Sequence, residues 1–270
     1  MAKSNPILCG SIAGSIGGMG VKMHNAAFRH LNLPYTYVSF EPRSAKGAVD
    51  AMRNLGIRGL GVTMPFKEEV IQYLDDIDEM SKDIGAVNTI VNDGERLKGY
   101  NTDEYGAITA LLEVTSLKNR KIVVIGAGGA AKTVIWGLKR YTDAIAVYNR
   151  NQDKGNSVAQ RFGVAYMGGL ENLNADMDYD ILINCTSVGF KSEATILTRD
   201  RIKPKSIVMD IVFTPVATTL WKEAQAAGCT AISGTRMIMH QACRQFELYT
   251  GLDAPREIYE KVITDILNKT

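Results

Sequence analysis

The residues best placed to do chemistry lie in one run, Lys121–Lys132, where the apolar stretch Ile122–Ile125 passes into Gly126, Gly128 and Gly129. Glycine-rich turns also occur as plain loops, so the flanks decide what this one does. Gly126 can take the dihedrals of a tight strand-to-helix turn, and Gly128 puts no side chain between backbone and an anion. The small Ala131 stands where the third small residue of G-x-G-x-x-G/A lets a helix pack close to a strand. Free amides at the start of such a helix face a pyrophosphate. Ile122–Ile125 reads as a strand buried on both faces, and Ala130–Tyr141 continues as a helix free of proline.

The next strand, Ala144–Tyr148, bears on which dinucleotide is bound. An acidic residue at its end would accept hydrogen bonds from a ribose 2′-hydroxyl, whereas this chain has Asn149 and Arg150, followed by Lys154. A carboxylate repels a 2′-phosphate and a guanidinium grips it, so the expectation is NADP rather than NAD. The plainer role for Arg150 and Lys154 is to solvate the start of a surface helix.

Those residues need a framework, and 270 residues at 46% hydrophobic supply enough for two α/β domains. The glycine turn sits mid-chain, which favours two domains over one. A net charge of +2 with no basic stripe argues against a nucleic-acid partner and suits a small anionic ligand. No apolar run approaches membrane-spanning length and no secretory leader precedes the first strand, so the expectation is a cytoplasmic protein without a membrane partner. Cys9, Cys185, Cys229 and Cys243 are scattered, and the histidines form no ligand pair, so no metal is expected.

Periodicity gives alternating elements: strands at Ile7–Ala13, Tyr35–Phe40 and Gly59–Thr63, with helices at Met23–Leu31, Ala45–Leu55 and Lys67–Tyr73. Short strands at Ala86–Val91 and Leu97–Tyr100 flank an Asn92-Asp93-Gly94 turn, and Thr102–Glu113 reads as a connecting helix. After the glycine turn the rhythm repeats, with strands at Ile181–Asn184, Ile207–Ile211 and Thr230–Ile232 and helices at Asp153–Phe162 and Ala217–Ala227. Helices at Met237–Thr250 and Pro255–Leu267 close the chain. The fold expected is α/β: an N-terminal α/β substrate domain (1–101 and 237–270), a Rossmann-like dinucleotide domain (102–236), and C-terminal helices returning to the first domain.

In their order along the chain, Val62–Lys67 (VTMPFK), Gly85–Thr89 (GAVNT), Tyr100–Asp103 (YNTD), GAGGAAK, Ile183–Gly189 (INCTSVG) and Ile232–Gly251 resemble the shikimate dehydrogenase family, including its shikimate dehydrogenase-like branch. The resemblance implies an enzyme of aromatic amino acid biosynthesis, on the chorismate pathway. It would act on a hydroxylated cyclic carboxylate, as a monomer or homodimer. It implies Lys67 and Asp103 as the catalytic pair. A lysine beside a ketone can protonate the alkoxide that hydride addition leaves, and the carboxylate can orient it. By the same resemblance Thr63, Asn88, Asn101 and Gln241 face the substrate. Gly126, Gly128, Gly129 and Ala130 hold the pyrophosphate, and Asn149, Arg150 and Lys154 the adenosine phosphate. Thr186, Ser187, Val188, Ile211, Gly234 and Met237 line the rest of the cofactor, with ordinary core packing the alternative for Met237 and Val188.

The chain departs from the family pattern before His24-Asn25. The family's two carboxylate-binding serines fall on Gly18 and Gly20 when counted back from His24, while counting forward from Gly10 leaves Ser15 as a substrate-binding candidate. Phe213 stands where the family has a tyrosine hydroxyl. Each missing hydroxyl contact would be worth about 1–3 kcal/mol, which keeps quinate or an aminoshikimate open as substrates. Two other readings are a different two-domain oxidoreductase, such as a methylenetetrahydrofolate dehydrogenase, and a non-catalytic NADP-binding regulatory protein.

Overall fold

In a computed structural model, which describes residues 6–14 and 18–267, the chain divides into two compact units, 1–102 with 241–270 and 103–240. Ser15, the substrate candidate of the glycine-rich loop, lies outside the described residues. No described helix is long and apolar enough to cross a membrane.

The first unit opens β1 (Ile7–Ile12), α1 (Met19–His30), β2 (Tyr35–Phe40), α2 (Ala45–Asn54) and β3 (Gly59–Val62). It continues through β4 (Asp76–Ile77), α3 (Glu79–Ile84), β5 (Thr89–Asn92) and β6 (Leu97–Tyr100). The sheet order is β2-β1-β3-β5-β6-β4; β1 pairs parallel with β2 and β3, while β5 runs antiparallel to both β3 and β6. One face is sealed by α2, whose Ala45, Ala48, Val49 and Met52 repeat at helical spacing and pack with Ile12, Leu60 and Ile90.

The second unit begins with α4 (Asp103–Leu112), β7 (Ile122–Ile125), α5 (Gly129–Leu138), β8 (Ile145–Tyr148), α6 (Gln152–Phe162) and β9 (Ala165–Tyr166). It goes on to β10 (Ile181–Asn184), β11 (Ile207–Asp210), α7 (Thr219–Ala226), β12 (Thr230–Ile232) and the first part of α8 (Gly234–Thr250). All pairings in its sheet are parallel, in the order β12-β11-β10-β7-β8-β9. Relabelled from the first strand, that is the doubly wound 3-2-1-4-5-6 order, with its switch point between β7 and β10. The strands Ile122–Ile125 and Ile181–Asn184 are buried throughout, as a sheet covered on both faces requires.

The rest of α8 and the last helix, α9 (Arg256–Leu267), belong to the first unit. Arg58 Nε donates to the Tyr249 carbonyl at 2.9 Å, and Tyr259 Oη meets His24 Nδ1 at 3.2 Å. Gly59 makes room for α8, since a Cβ there would lie 2.2 Å from the Tyr249 ring.

The second unit runs through His240, where Arg236 Nε bonds Glu113 Oε2 at 3.0 Å and His240 Nε2 lies 2.9 Å from Glu113 Oε1, so the start of α8 is held to the end of α4. Two expectations are corrected. Lys67–Tyr73 makes only a 3-10 turn, Glu69–Tyr73; Val70 alone among its residues is buried, too short an apolar stripe to sustain a helix. Strand pairing at 86–91 starts only at Thr89, because Val87 N–H goes to Lys67 O at 2.8 Å rather than to a neighbouring strand. The helix α3 and the strands β4 and β9 are additions to the expected elements. Asp78 caps α3 by accepting from Ser81 N–H at 2.7 Å and Gly85 ends it at φ 75°, a cap pair that is visible in the sequence.

Candidate active site

In the second unit the glycine turn lies at the carboxyl end of β7, next to the switch point. Gly126 has φ 115°, and a Cβ on it would come within 3.1 Å of the Cys185 carbonyl oxygen, so both backbone conformation and space call for glycine. Gly128 is the N-cap of α5 and supplies no side-chain cap, and the first turn of α5 carries no acidic residue. Among the described residues, no atom lies within 4 Å of a Cβ built on Gly128 or Gly129. Both glycines are exposed, so the N-terminal end of α5 is open to solvent, which fits a pyrophosphate at its first amides. Ala131 is fully buried and Ala130 packs on the core, which seats α5 against the sheet.

At the end of β8, Asn149 Nδ2 donates to Asn151 O at 2.7 Å, and Asn151 Oδ1 caps α6 by accepting from Lys154 N–H at 2.9 Å. Arg150 and Lys154 are exposed cations at that helix start. After β10, Thr186 is half-buried while Ser187 and Val188 are exposed. After β11, Ile211 packs on the core from its edge. Gly234 is a close-packing position, because a Cβ there would sit 2.5 Å from Ile211 O. Met237 is buried in the apolar core with Ile232 and Met209, so the structure brings it among core residues.

In the first unit four expected substrate residues are gathered at one end of the sheet. Thr63 and Lys67 follow β3, Asn88 precedes β5 and Asn101 follows β6. The Val87–Lys67 backbone bond, and another from Val62 N–H to Asn88 O at 2.7 Å, hold the first three segments together. Thr63 is exposed and Lys67 half-buried, whereas Asn88 and Asn101 are buried. Asn88 Oδ1 accepts from Thr102 N–H at 2.8 Å and from Thr89 Oγ1 at 2.8 Å, and Asn101 Nδ2 donates to Ala86 O at 3.1 Å. Gln241 is half-buried on α8. Asp103, the first residue of α4, is the point at which the second unit begins, and its side chain is buried.

Sequence reasoning missed the groups that brace these positions. Gln245 Nε2 donates to Thr89 Oγ1 at 3.0 Å and so ties α8 to the Asn88–Thr89 segment. In the second unit Asn184 and Asp210, the last residues of β10 and β11, face each other across the sheet. Strand ends with a single polar residue carry no local signal of that kind. Glu104, next to Asp103, pairs with Arg140 from the end of α5. Burial works against ionisation of Glu113, but its bonds to Arg236 and the nearby His240 hold the carboxyl below its usual range.

Comparison with known proteins bears on both halves. Residues 18–90 match the shikimate dehydrogenase substrate binding domain, and residues 109–217 match the family described as shikimate / quinate 5-dehydrogenase. The shikimate dehydrogenase (NADP(+)) of Pyrococcus abyssi is 39% identical, over 92% of this chain and 93% of its own. Among solved structures, shikimate 5-dehydrogenase from Thermus thermophilus, in complex with NADP(H) and shikimate, is 28% identical with a TM-score of 0.89, covering 96% of this chain and 99% of that one. The 5-ketofructose reductase of Gluconobacter sp. strain CHM43 is 28% identical with a TM-score of 0.86, covering 97% and 99%. With a doubly wound glycine-turn unit, a strand-end cluster around Lys67 and relatives matching along almost the whole length, the chain belongs to the shikimate dehydrogenase family.

Proposed function

We propose that the protein is an NADP-dependent oxidoreductase that interconverts the ketone of 3-dehydroshikimate, or a close analogue, and the corresponding alcohol. The first unit takes the substrate and the second the cofactor. The observation that carries the reading is the gathering of Thr63, Lys67, Asn88 and Asn101 at one sheet end through the Val87–Lys67 and Val62–Asn88 backbone bonds. Buried amides and an ammonium suit a hydroxylated ring with a reducible carbonyl.

NADPH, when bound, supplies the hydride. The Lys67 ammonium gives its proton to the alkoxide oxygen formed at the ketone carbon, and in the oxidative direction the neutral amine takes it back. Asp103 orients that lysine and accepts a hydrogen bond from a neighbouring hydroxyl. The first amides of α5 offset the charge of the pyrophosphate, and Arg150 with Lys154 favours a 2′-phosphate.

Lys67→Ala is the test. Turnover with NADPH and 3-dehydroshikimate should fall about 10²–10⁴-fold while the dissociation constant for NADPH stays within a factor of about two. Undiminished turnover would remove Lys67 from the chemistry. A second reading differs in substrate only. Gly18, Gly20 and Phe213 lack hydroxyls where family members grip a carboxylate, and a reductase named for a keto sugar shares the fold. Turnover of a neutral ketose in preference to shikimate and quinate would establish it.

A further inference from the structure

The carboxyl ends of β10 and β11 carry a buried polar network that the chemistry above does not use. Asp210, 1% exposed, accepts three hydrogen bonds: Asn184 Nδ2 at 2.9 Å, Val212 N–H at 3.1 Å and Thr218 Oγ1 at 2.6 Å. No described cation pairs with it; its neighbours are all neutral donors. Each donor reaches a different segment. Asn184 Oδ1 turns the other way and accepts from both Thr186 N–H at 3.0 Å and Thr186 Oγ1 at 2.7 Å, and Thr186 Oγ1 then accepts from Val188 N–H at 3.2 Å. Val212 opens the loop that starts from Ile211. Thr218 caps α7 by accepting from Trp221 N–H at 3.2 Å. The Thr186 loop also borders the phosphate turn, since a Cβ on Gly126 would be 3.2 Å from Thr186 Cγ2.

We propose that Asp210 is a positioning residue for the dinucleotide site: its carboxylate sets the Thr186–Val188 loop, through Asn184, and the Ile211–Val212 loop before the cofactor arrives. An unpaired carboxylate among neutral donors is costly to bury, and an apolar contact would close the strand ends more cheaply. What the carboxylate adds is that one acceptor fixes three donors from three segments at once. Thr186, Ser187, Val188 and Ile211 are the residues assigned to the cofactor along this edge, so the inference rests on the NADP reading and deepens it.

The experiment uses the full chain and measures NADPH binding by fluorescence in the absence of substrate, amide hydrogen exchange of the ligand-free protein, and steady-state kinetics with shikimate. Asp210→Ala should weaken NADPH binding about tenfold or more and accelerate exchange at Val188 and Val212 at least tenfold, with β7 amides unchanged. The KM for shikimate should move less than twofold. Asp210→Asn, whose remaining oxygen still accepts from Asn184 and Val212, should keep NADPH binding within about threefold of the parent. If Asp210→Ala does not fold, Thr218→Val should show the same split at about threefold. The proposal is overturned by unchanged exchange at Val188 and Val212, by unchanged NADPH binding in a folded Asp210→Ala or Thr218→Val, or by equal changes in NADPH affinity and shikimate KM. A parent protein that binds no NADPH defeats the cofactor reading instead, and the ligand-free exchange data still decide whether Asp210 orders the loops.

Discussion

Both units end their strands in buried polar networks, but the two are built from different chemistry. In the first unit amides and hydroxyls satisfy one another: Asn88 Oδ1 takes Thr89 and Thr102 donors, and Gln245 Nε2 reaches Thr89 Oγ1. In the second unit a single carboxylate, Asp210, collects three donors. Neutral networks lose one bond at a time, each worth about 0.5–1.5 kcal/mol. A network centred on one side chain loses all three of its bonds together when that side chain is removed. Burial raises the Asp210 pKa above its ordinary value, against the opposing bonds from Thr218, Val212 and Asn184. Ionised Asp210 therefore costs the folded state stability at neutral pH, and that part of the stability returns as pH falls below the raised pKa. The unit assigned to substrate binding holds its amides without a charge, and the unit assigned to the dinucleotide holds its loops with one.

The titratable member beside the neutral network gives the largest effect with which to test that contrast. His24 is fully buried, stacked on Tyr37 at 4.4 Å, and burial lowers its pKa from 6.5 to about 4, partly offset by Gln245. Its Nε2 has no hydrogen-bond partner of ordinary geometry among the described residues. Because the folded pKa is depressed, the stabilisation is fully present above pH 6.5 and is lost as pH falls through about 4, a swing of about 3 kcal/mol. Urea unfolding at pH 7.5 and pH 4, run in parallel on the parent and His24→Phe, should show that swing only in the parent, since the carboxylates titrate in both. Equal acid losses in the two proteins would mean that the first unit's neutrality is not guarded by His24, and the contrast would fail.

What was legible in the chain follows the range of the interactions involved. The glycine turn could be read because strand, turn and helix start are contiguous, and Gly126 at φ 115° answers a local demand. The returning helices could be read from apolar spacing. Asn184 and Asp210 could not, because each looks like the polar end of an apolar strand until the parallel register sets the two opposite each other. Gln245 is distant from Thr89 in sequence, and nothing on α8 marks it out from Gln241 as the residue that reaches the sheet. The Lys67 segment misled for the opposite reason: a local pattern suggested helix, while only Val70 of its residues is buried, and the segment settles into the 3-10 stretch Glu69–Tyr73.

Gln245 tests the neutral side of the comparison at intermediate size. Gln245→Leu removes the donor to Thr89 Oγ1 and replaces it with apolar bulk at a buried position, so it should cost about 2 kcal/mol in chemical denaturation. The lesion sits beside Asn88, and the KM for shikimate should rise several-fold while NADPH affinity stays unchanged. This is the mirror image of the split expected for Asp210→Ala. If both variants disturb substrate and cofactor alike, the two networks are not separate supports and the division of labour between the units collapses.

Arg150 gives the smallest effect and the narrowest test. Its side chain is exposed at the end of β8, where Asn149 and the α6 cap are occupied by their own hydrogen bonds, so removing it leaves the local fold intact. An exposed guanidinium meeting a 2′-phosphate is partly screened by water and salt, which limits its worth to about 1.4 kcal/mol, or tenfold in affinity. Arg150→Ala should therefore weaken NADPH binding about tenfold, leave NADH binding unchanged, and lose most of its effect in high salt. Asp210→Ala, acting through buried loops shared by either dinucleotide, should weaken both cofactors equally and show little salt dependence. The ratio of NADPH to NADH affinity thus separates a surface charge that reads the cofactor from a buried charge that shapes its site. An Arg150→Ala protein that weakens NADPH and NADH equally would take the 2′-phosphate contact away from Arg150.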